Sequence, residues 1–568
     1  MTIKGWSYAS GTSDKALLGI TIGDLFDQVV ARYPNHEALV VRHQNLRYTY
    51  RELKRQVDQC ARGLMALGVQ KGERLGIWAP NCAEWTIIQF ATSKIGAILV
   101  TINPSYRVYE LQYTLKQSGC RYLVTATKFK ASDYLAMLYE LVPELKTSKP
   151  GDLHTAQLPD LRLVVRLGDD KSPGMFNWNV LLQMGDSVSA EELEERQHQQ
   201  EFDAPINIQY TSGTTGFPKG ATLSHHNILN NGYFVAEIMH FCDQDRLVIP
   251  VPLYHCFGMV MGNLGCVTHG ATMIYPSEGF DPKAVLDTVQ RERATALFGV
   301  PTMFIAELRE ADFSSYDLTT LRTGIMAGSP CPIEVMKQVQ SLMNMREVEI
   351  CYGMTETSPV STQTRIGAPL AKQVGTVGQV HPHVEVKIIN PKTQQVVPIG
   401  TPGELCTRGY SVMLGYWGNE EETRKAIDEA RWMHTGDLAT LDEEGYINIV
   451  GRIKDIILRG GENIFPREIE EFLYTHPQIQ NVQVIGLPDL KYGEEIMAWV
   501  KLSPGADTTE QEIRDFCRGR IAHYKIPRYV KFVNEFPMTV TGKVQKFMMQ
   551  EQSIRELGLE HAAAMKTA

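Results

Sequence analysis

The chain has 568 residues, of which 43% are apolar, 21% charged and 9% aromatic. Those fractions exclude collagen-like, disordered and small disulfide-stapled proteins, and the length exceeds what one hydrophobic core usually organises. Lys plus Arg number 56 against 65 Asp plus Glu, a net charge of −9, which argues against a dedicated nucleic-acid binder.

The N-terminal MTIKGWSYASGTSDKALL lacks the charged-then-apolar order of a secretory signal and has no arginine before Arg32, so no targeting leader is expected. Leu53, Val57, Cys60, Leu64 and Leu67 recur at helical spacing across Thr49–Leu67, and Leu75–Ala79 is a short run of strand type. The most apolar stretch, Trp85–Ile102, is broken by Gln89, Ser93 and Lys94. It reads as a buried helix running into a strand, not as a membrane span. Met137–Gln200 is looser, with Pro150-Gly151, Gly168-Asp169-Asp170 and the charged run Glu191–Arg196, and is expected to be a surface excursion. Strand and helix signals alternate again to about Gly445, which points to an α/β fold.

The ten cysteines, from Cys60 to Cys517, include no CxxC pair and no Cys/His cluster at zinc spacing. Scattered thiols in a reducing compartment, and a cytoplasmic chain, are expected. Composition shifts after Gly451-Arg452-Ile453-Lys454-Asp455. Between Arg514 and Lys546 eight Lys/Arg face only Asp515 and Glu535, a local balance of +6. Such a run is either a solvated basic face or a surface that meets a polyanion.

The strongest local signal is Tyr210-Thr-Ser-Gly-Thr-Thr-Gly-Phe-Pro-Lys-Gly220. Ile206, Ile208 and Tyr210 alternate with Asn207 and Gln209 before it, as in a half-buried strand, and a helix capped by Ser224 is expected after it. Read as a strand-to-helix connection, its three glycines, four hydroxyl residues and Lys219 suit a polyphosphate. It is not a Walker A loop, because Lys219 follows Pro218 and precedes Gly220; no GxSxG elbow occurs either.

TSGTTGFPKG resembles the phosphate loop of the adenylate-forming superfamily of acyl-CoA synthetases, luciferases and adenylation domains. Companion motifs follow in that family's order: Pro252–Gly258, Tyr352–Thr357, Gly403–Gly409, Thr435–Asp437, Gly451–Asp455 and Pro537–Lys543. The chain is most similar to medium-chain fatty acyl-CoA synthetases. The resemblance implies a large multi-subdomain α/β N-terminal domain over 1–451 and a small mobile α+β C-terminal domain over 452–568. It also implies ATP, Mg²⁺ and coenzyme A as reaction partners, and it admits a homodimer.

Carried over residue by residue, the resemblance places Thr211, Ser212, Gly213, Thr214, Thr215, Gly216 and Lys219 around phosphate. Gly328 and Ser329, in the sequence Gly328-Ser329-Pro330, fall beside adenine with Tyr352 and Gly353. Thr355 would contact phosphate, and Glu356 would hold Mg²⁺, a cation that takes hard oxygen ligands. Asp437 and Arg452 would bind ribose, Lys454 would mark the hinge, and Gly460 would line the pantetheine channel. Lys543 would neutralise charge as a carboxylate attacks the α-phosphate. His255 either orients the carboxylate or is a hydrogen-bonded core histidine; His381 and His383 are expected to be structural. Met259, Val260, Met261, Leu264, Met303 and Met326 are either an adaptable acyl lining or plain core. Gly353 stands where acetyl-specific relatives carry a tryptophan, and no acidic residue occurs from Arg246 to Ser277 to hold an α-amino group. A fatty acid is therefore the expected substrate. An aryl or coumarate-type acid, a luciferase-like oxidation and an inactive ATP-binding protein are the alternatives.

Overall fold

The structure, a computed structural model, describes residues 5–211, 218–329, 331–460, 462–539 and 544–564. The chain forms two units. One is built of Ser10–Glu385 and Thr407–Met433, the other of Thr2–Ala9, Val386–Cys406 and His434–Ala568.

In the first unit, the expected helix after Thr49 is Tyr50–Ala66. It opens with a capping box in which the Thr49 hydroxyl accepts from the Glu52 N–H and the Glu52 carboxylate accepts from the Thr49 N–H. The apolar stretch that follows is the helix Ala83–Ile95 and the strand Ile98–Thr101. Its polar residues find partners inside the protein. Gln89 donates to the Met259 carbonyl at 3.1 Å, and Ser93 donates to the Phe90 carbonyl at 2.7 Å. The buried Lys94 ammonium lies 2.7 Å from Asp27 and 2.8 Å from Asp58. No described helix is long and apolar enough to cross a membrane.

Two sheets carry this unit. The first orders Phe176–Asn177, Leu163–Arg166, Tyr122–Thr125, Arg74–Trp78, Ile98–Thr101 and Pro205–Thr211 in parallel. Lys219–Ser224 and Gly415–Tyr416 then continue it antiparallel. The second runs parallel through Glu37–Val41, Thr272–Tyr275, Arg246–Val248, Ala296–Gly299, Thr323–Ala327 and Glu347–Gly353. Val360–Gln363 and Gln379–Val380 add antiparallel strands at one edge, and Leu46–Thr49 adds another at the opposite edge.

One expectation is corrected here. The looser stretch from Met137 to Gln200 is not a surface excursion, because Leu163–Arg166 within it is a fully buried strand of the first sheet. Leu181 is buried as well, and its carbonyl would lie 2.2 Å from a Cβ at Gly63. A four-residue strand among turn residues is too short to show a period.

The second unit contains most of a five-stranded sheet ordered Tyr8–Ser10, Val384–Ile389, Gly403–Gly409, Met433–Leu441 and Ile447–Arg452. Its C-terminal part is α+β. Gly493–Leu502 pairs antiparallel with Ile479–Asp489 and parallel with Tyr529–Phe532. Side chains alternate across these strands. Val482, Val484, Ile496 and Ala498 enter one small core, while Ile485, Leu487, Met497 and Trp499 enter another.

In the second sheet of the first unit, buried Glu349 accepts from Gln363 Nε2 at 2.5 Å, and Gln363 Oε1 lies 2.8 Å from His381 Nε2. Burial pushes the Glu349 carboxyl up to about 8. Burial, reinforced by the Arg365 cation, holds His381 well below the usual imidazole range, in keeping with its structural reading. Above pH 4.5 the unfolded chain releases the Glu349 proton while the fold keeps it until about pH 8. Through that window this group makes stability fall with rising pH, by up to about 1.4 kcal/mol per pH unit. Glu349→Gln removes that contribution, so in thermal melts its Tm should gain on the unsubstituted protein steadily from pH 5 to pH 8.

Candidate active site

The loop expected to hold phosphate does not join a strand to a helix as expected. It joins two antiparallel strands, Pro205–Thr211 and Lys219–Ser224, with Thr211 opposite Lys219. The helix His225–Ile238 begins only after the second strand, where the Ser224 hydroxyl accepts from the Asn227 N–H at 3.1 Å. That helix's N-terminus is therefore spent on its own cap, and Lys219 stands at the base of a hairpin. Ser212, Gly213, Thr214, Thr215 and Gly216 lie outside the described residues. Glycine at 220 follows from close packing, because a Cβ there would lie 2.8 Å from Ile208.

The Lys219 ammonium sits 2.6 Å from Glu422 and 4.8 Å from the centre of the Tyr416 ring. Lys219 first, then Lys425, holds the Glu422 carboxyl down to about 2. On the other sheet, Ala327 and Cys351 are register partners on parallel strands. Gly328-Ser329 and Tyr352-Gly353 thus leave neighbouring strand ends side by side, at the carboxyl edge where α/β sheets gather ligands. Gly328 has φ +92°, a conformation that favours glycine. Gly353 is required by its hairpin, since a Cβ would fall 1.7 Å from the Pro359 carbonyl oxygen.

Beyond Gly353, a 3₁₀ turn over Thr355–Thr357 buries Thr355 and Glu356. Tyr416 Oη donates to Glu356 Oε1 at 2.8 Å, and the Met413 N–H donates to the Glu356 carbonyl at 2.9 Å. Burial, with the charge of Glu356, raises the Tyr416 phenol above its ordinary range, so it remains a donor. Tyr416 is also the register partner of Ala221, and the Trp417 N–H donates to the Gly220 carbonyl at 2.8 Å. One short segment thus ties the Thr211–Lys219 hairpin to the acidic turn. Sequence reasoning missed Tyr416 and Glu422. The available signal was the tight Gly415-Tyr416-Trp417 run following the Gly403–Gly409 motif. The buried carboxylate, held by a hydroxyl on one oxygen, fits a hard cation such as Mg²⁺ shared with substrate phosphates.

His255 is half-buried, and its Nδ1 accepts from the Phe257 N–H at 3.2 Å. It precedes a π-helix over Phe257–Leu264, a rare form frequent at functional sites. Met259, Val260, Met261, Leu264, Met303 and Met326 are all buried, and Met259 Sδ accepts from Gln209 at 2.9 Å. His383 Nε2 lies 2.7 Å from the Lys15 carbonyl, a structural bond.

In the second unit, Asp437 and Arg452 face each other on adjacent strands, and Arg452 Nε donates to Asp437 Oδ1 at 2.9 Å. Lys454 is exposed in the 3₁₀ turn Ile453–Asp455. Gly460 has φ +61°, while among the described residues a Cβ there would meet only the Tyr492 ring at an ordinary 3.4 Å; the backbone conformation favours glycine. Lys543 lies outside the described residues. The basic run gains partners on folding. Arg514, Arg518, Lys525, Arg528, Lys531 and Lys546 pair respectively with Glu510, Asp515, Glu468, Asp489, Glu556 and Glu470, so the local +6 is largely neutralised by folding.

Strand-end glycines at the carboxyl edge of one sheet and a lysine–carboxylate pair beside the other set candidate ligand-binding groups on an α/β fold. The chain matches the AMP-binding enzyme family over residues 26–417 and the AMP-binding enzyme C-terminal domain over residues 468–543. It belongs to this family of adenylate-forming enzymes. It is 50% identical over 543 residues to YngI of Bacillus subtilis (strain 168), across 96% of this chain and 99% of that protein. It is 46% identical over 558 residues to the mitochondrial medium-chain acyl-CoA ligase ACSF2 of Danio rerio, across 97% of this chain and 91% of that one. The anthranilate CoA ligase AuaEII, solved in complex with anthranoyl-AMP, superposes with a TM-score of 0.84 at 26% identity, covering 96% of this chain and 99% of that chain.

Gly353→Ala must push the Pro359 carbonyl aside. It should lower Tm by several degrees and depress nucleotide-dependent activity, measured by melting and by ATP turnover on the folded fraction.

Proposed function

We propose that this chain is an AMP-forming acid–thiol ligase that activates a medium-chain fatty acid with ATP and transfers the acyl group to coenzyme A. The observation that carries this reading is the convergence of Lys219 and Glu356 on Tyr416. It occurs in a chain 46% identical, over 97% of its length, to the medium-chain acyl-CoA ligase ACSF2 of Danio rerio. In the first half-reaction a carboxylate oxygen attacks the α-phosphorus and pyrophosphate leaves. In the second, the thiol sulfur of coenzyme A attacks the acyl carbon, AMP leaves and the thiol proton passes to solvent.

Lys219 and Thr355 bind the phosphate oxygens, and to reach them Lys219 exchanges Glu422 for substrate. Glu356 would hold Mg²⁺, which supplies neutralisation of the phosphate charge when bound. Tyr352, Gly328 and Ser329 border adenine. Asp437, oriented by its pair with Arg452, accepts from the ribose hydroxyls. His255 orients the carboxylate, and the π-helix methionines line the acyl chain. Lys543 neutralises charge in the first half-reaction, Gly460 admits the pantetheine arm in the second, and Lys454 marks the hinge of a mobile domain over 452–568. All ten cysteines are free thiols.

Pyrophosphate release measured across saturated acids from acetate to palmitate, and with a cinnamate, tests the substrate. Release should peak at medium chain length, and AMP release should require coenzyme A. A peak at cinnamate, or turnover indifferent to coenzyme A, would overturn the reading. Lys543→Ala should slow acyl-adenylate formation roughly 10²–10³-fold, by analogy with loss of one key electrostatic donor. Unchanged pyrophosphate release by that variant would contradict its assignment.

A further inference from the structure

Glu404, Cys406 and His434 converge in the second unit. Glu404 and Cys406 are two residues apart on the strand Gly403–Gly409 and so project from one face of the sheet. His434 lies on the neighbouring strand Met433–Leu441. Its Nδ1 is 3.1 Å from Glu404 Oε2 and 3.6 Å from Cys406 Sγ, and all three ligand atoms lie within 4.8 Å of one another. Glu404 and Cys406 are buried, and His434 is partly exposed.

Two chemistries use a carboxylate, an imidazole and a thiol together. A nucleophilic triad needs the imidazole to bridge, with one ring nitrogen on the thiol and the other on the carboxylate. Here sulfur and carboxylate oxygen both face the same Nδ1, so no relay runs through the ring. Convergence of three different donors on one point is what a metal ion requires. Tetrahedral zinc with ordinary bond lengths separates sulfur from nitrogen by about 3.6 Å and oxygen from nitrogen by about 3.4 Å. The observed 3.6 and 3.1 Å lie close to those values without rearrangement of the strands.

We propose that Glu404, Cys406 and His434 form a zinc-binding site, with a solvent molecule as fourth ligand. Thiolate and imidazole select zinc over the Mg²⁺ that accompanies ATP, since Mg²⁺ keeps to oxygen. Binding forms the Zn–S bond and releases the thiol proton to buffer. Glu404 Oε1 also accepts from the Gly436 N–H at 3.2 Å, so zinc on Oε2 clamps the stretch of strand that leads into Asp437. Sequence spacing hid this site because His434 is 28 residues beyond Cys406. Only strand pairing brings them together.

The test uses the full chain, stripped with chelator and dialysed against Zn²⁺ in excess Mg²⁺. One zinc per chain should survive gel filtration and raise Tm, and Co²⁺ in its place should give a thiolate-to-cobalt absorption band. Cys406→Ser and His434→Gln should weaken zinc binding at least about ten-fold. Cys406→Ser should also abolish the band, whereas Cys242→Ser, at an exposed cysteine, should change neither. Absence of bound zinc in the unsubstituted chain overturns the proposal. So does a folded Cys406→Ser that binds as before, or a band that disappears with Cys242→Ser. If both ligand variants fail to fold, one equivalent of cobalt with a thiolate band that Cys242→Ser retains still supports the site, and a band absent from the unsubstituted chain rejects it.

Discussion

Tyr416 joins two halves of a site that come from different sheets. Its hydroxyl donates to Glu356 on the turn that extends the second sheet, and its ring lies under Lys219 on the hairpin that ends the first. A hydrogen bond to a charged, buried acceptor is among the stronger single contacts in a protein, worth about 1.5–3 kcal/mol. Because the phenol remains protonated, this contact holds the carboxylate in place without adding charge. Lys219 and Glu422 then form an ion pair beside it, which in the proposed function Lys219 exchanges for substrate phosphate.

The sheets explain why such a joint is needed. Each runs parallel through six strands, then turns antiparallel after Pro205–Thr211 in the first and after Glu347–Gly353 in the second, and the Thr211–Lys219 hairpin and the Thr355–Thr357 turn grow from those two transitions. Crowding there leaves little freedom. Gly353 has no room for a Cβ beneath Pro359, and Gly220 has little over Ile208. Gly353, placed beside adenine by the family resemblance, is thus also demanded by its hairpin.

Much of this was legible in the sequence, for reasons that differ by element. The helix after Thr49 and the helix–strand pair after Trp85 are long and periodic, so their patterns identify them. The candidate site residues were named because ordered motifs carry them. What escaped was non-local. Leu163–Arg166 is four residues long, and only its neighbours in the sheet make it a buried strand. Lys219–Ser224 pairs backward into a hairpin, where a linear reading sees an approach to the Ser224 cap. Tyr416 and Glu422 reach Glu356 and Lys219 across 60 and 203 residues. The basic C-terminal run loses its charge to partners such as Glu468 and Glu470, distant in sequence and adjacent in the fold.

The dependence of fatty-acid-driven ATP–pyrophosphate exchange on MgATP, compared between the unsubstituted chain and Tyr416→Phe, tests the joint most directly. Exchange reports adenylation alone and needs no coenzyme A. Loss of the hydroxyl should raise the KM for MgATP about ten-fold or more, in line with one hydrogen bond to a charged group. A folded Tyr416→Phe with an unchanged KM for MgATP would contradict the account.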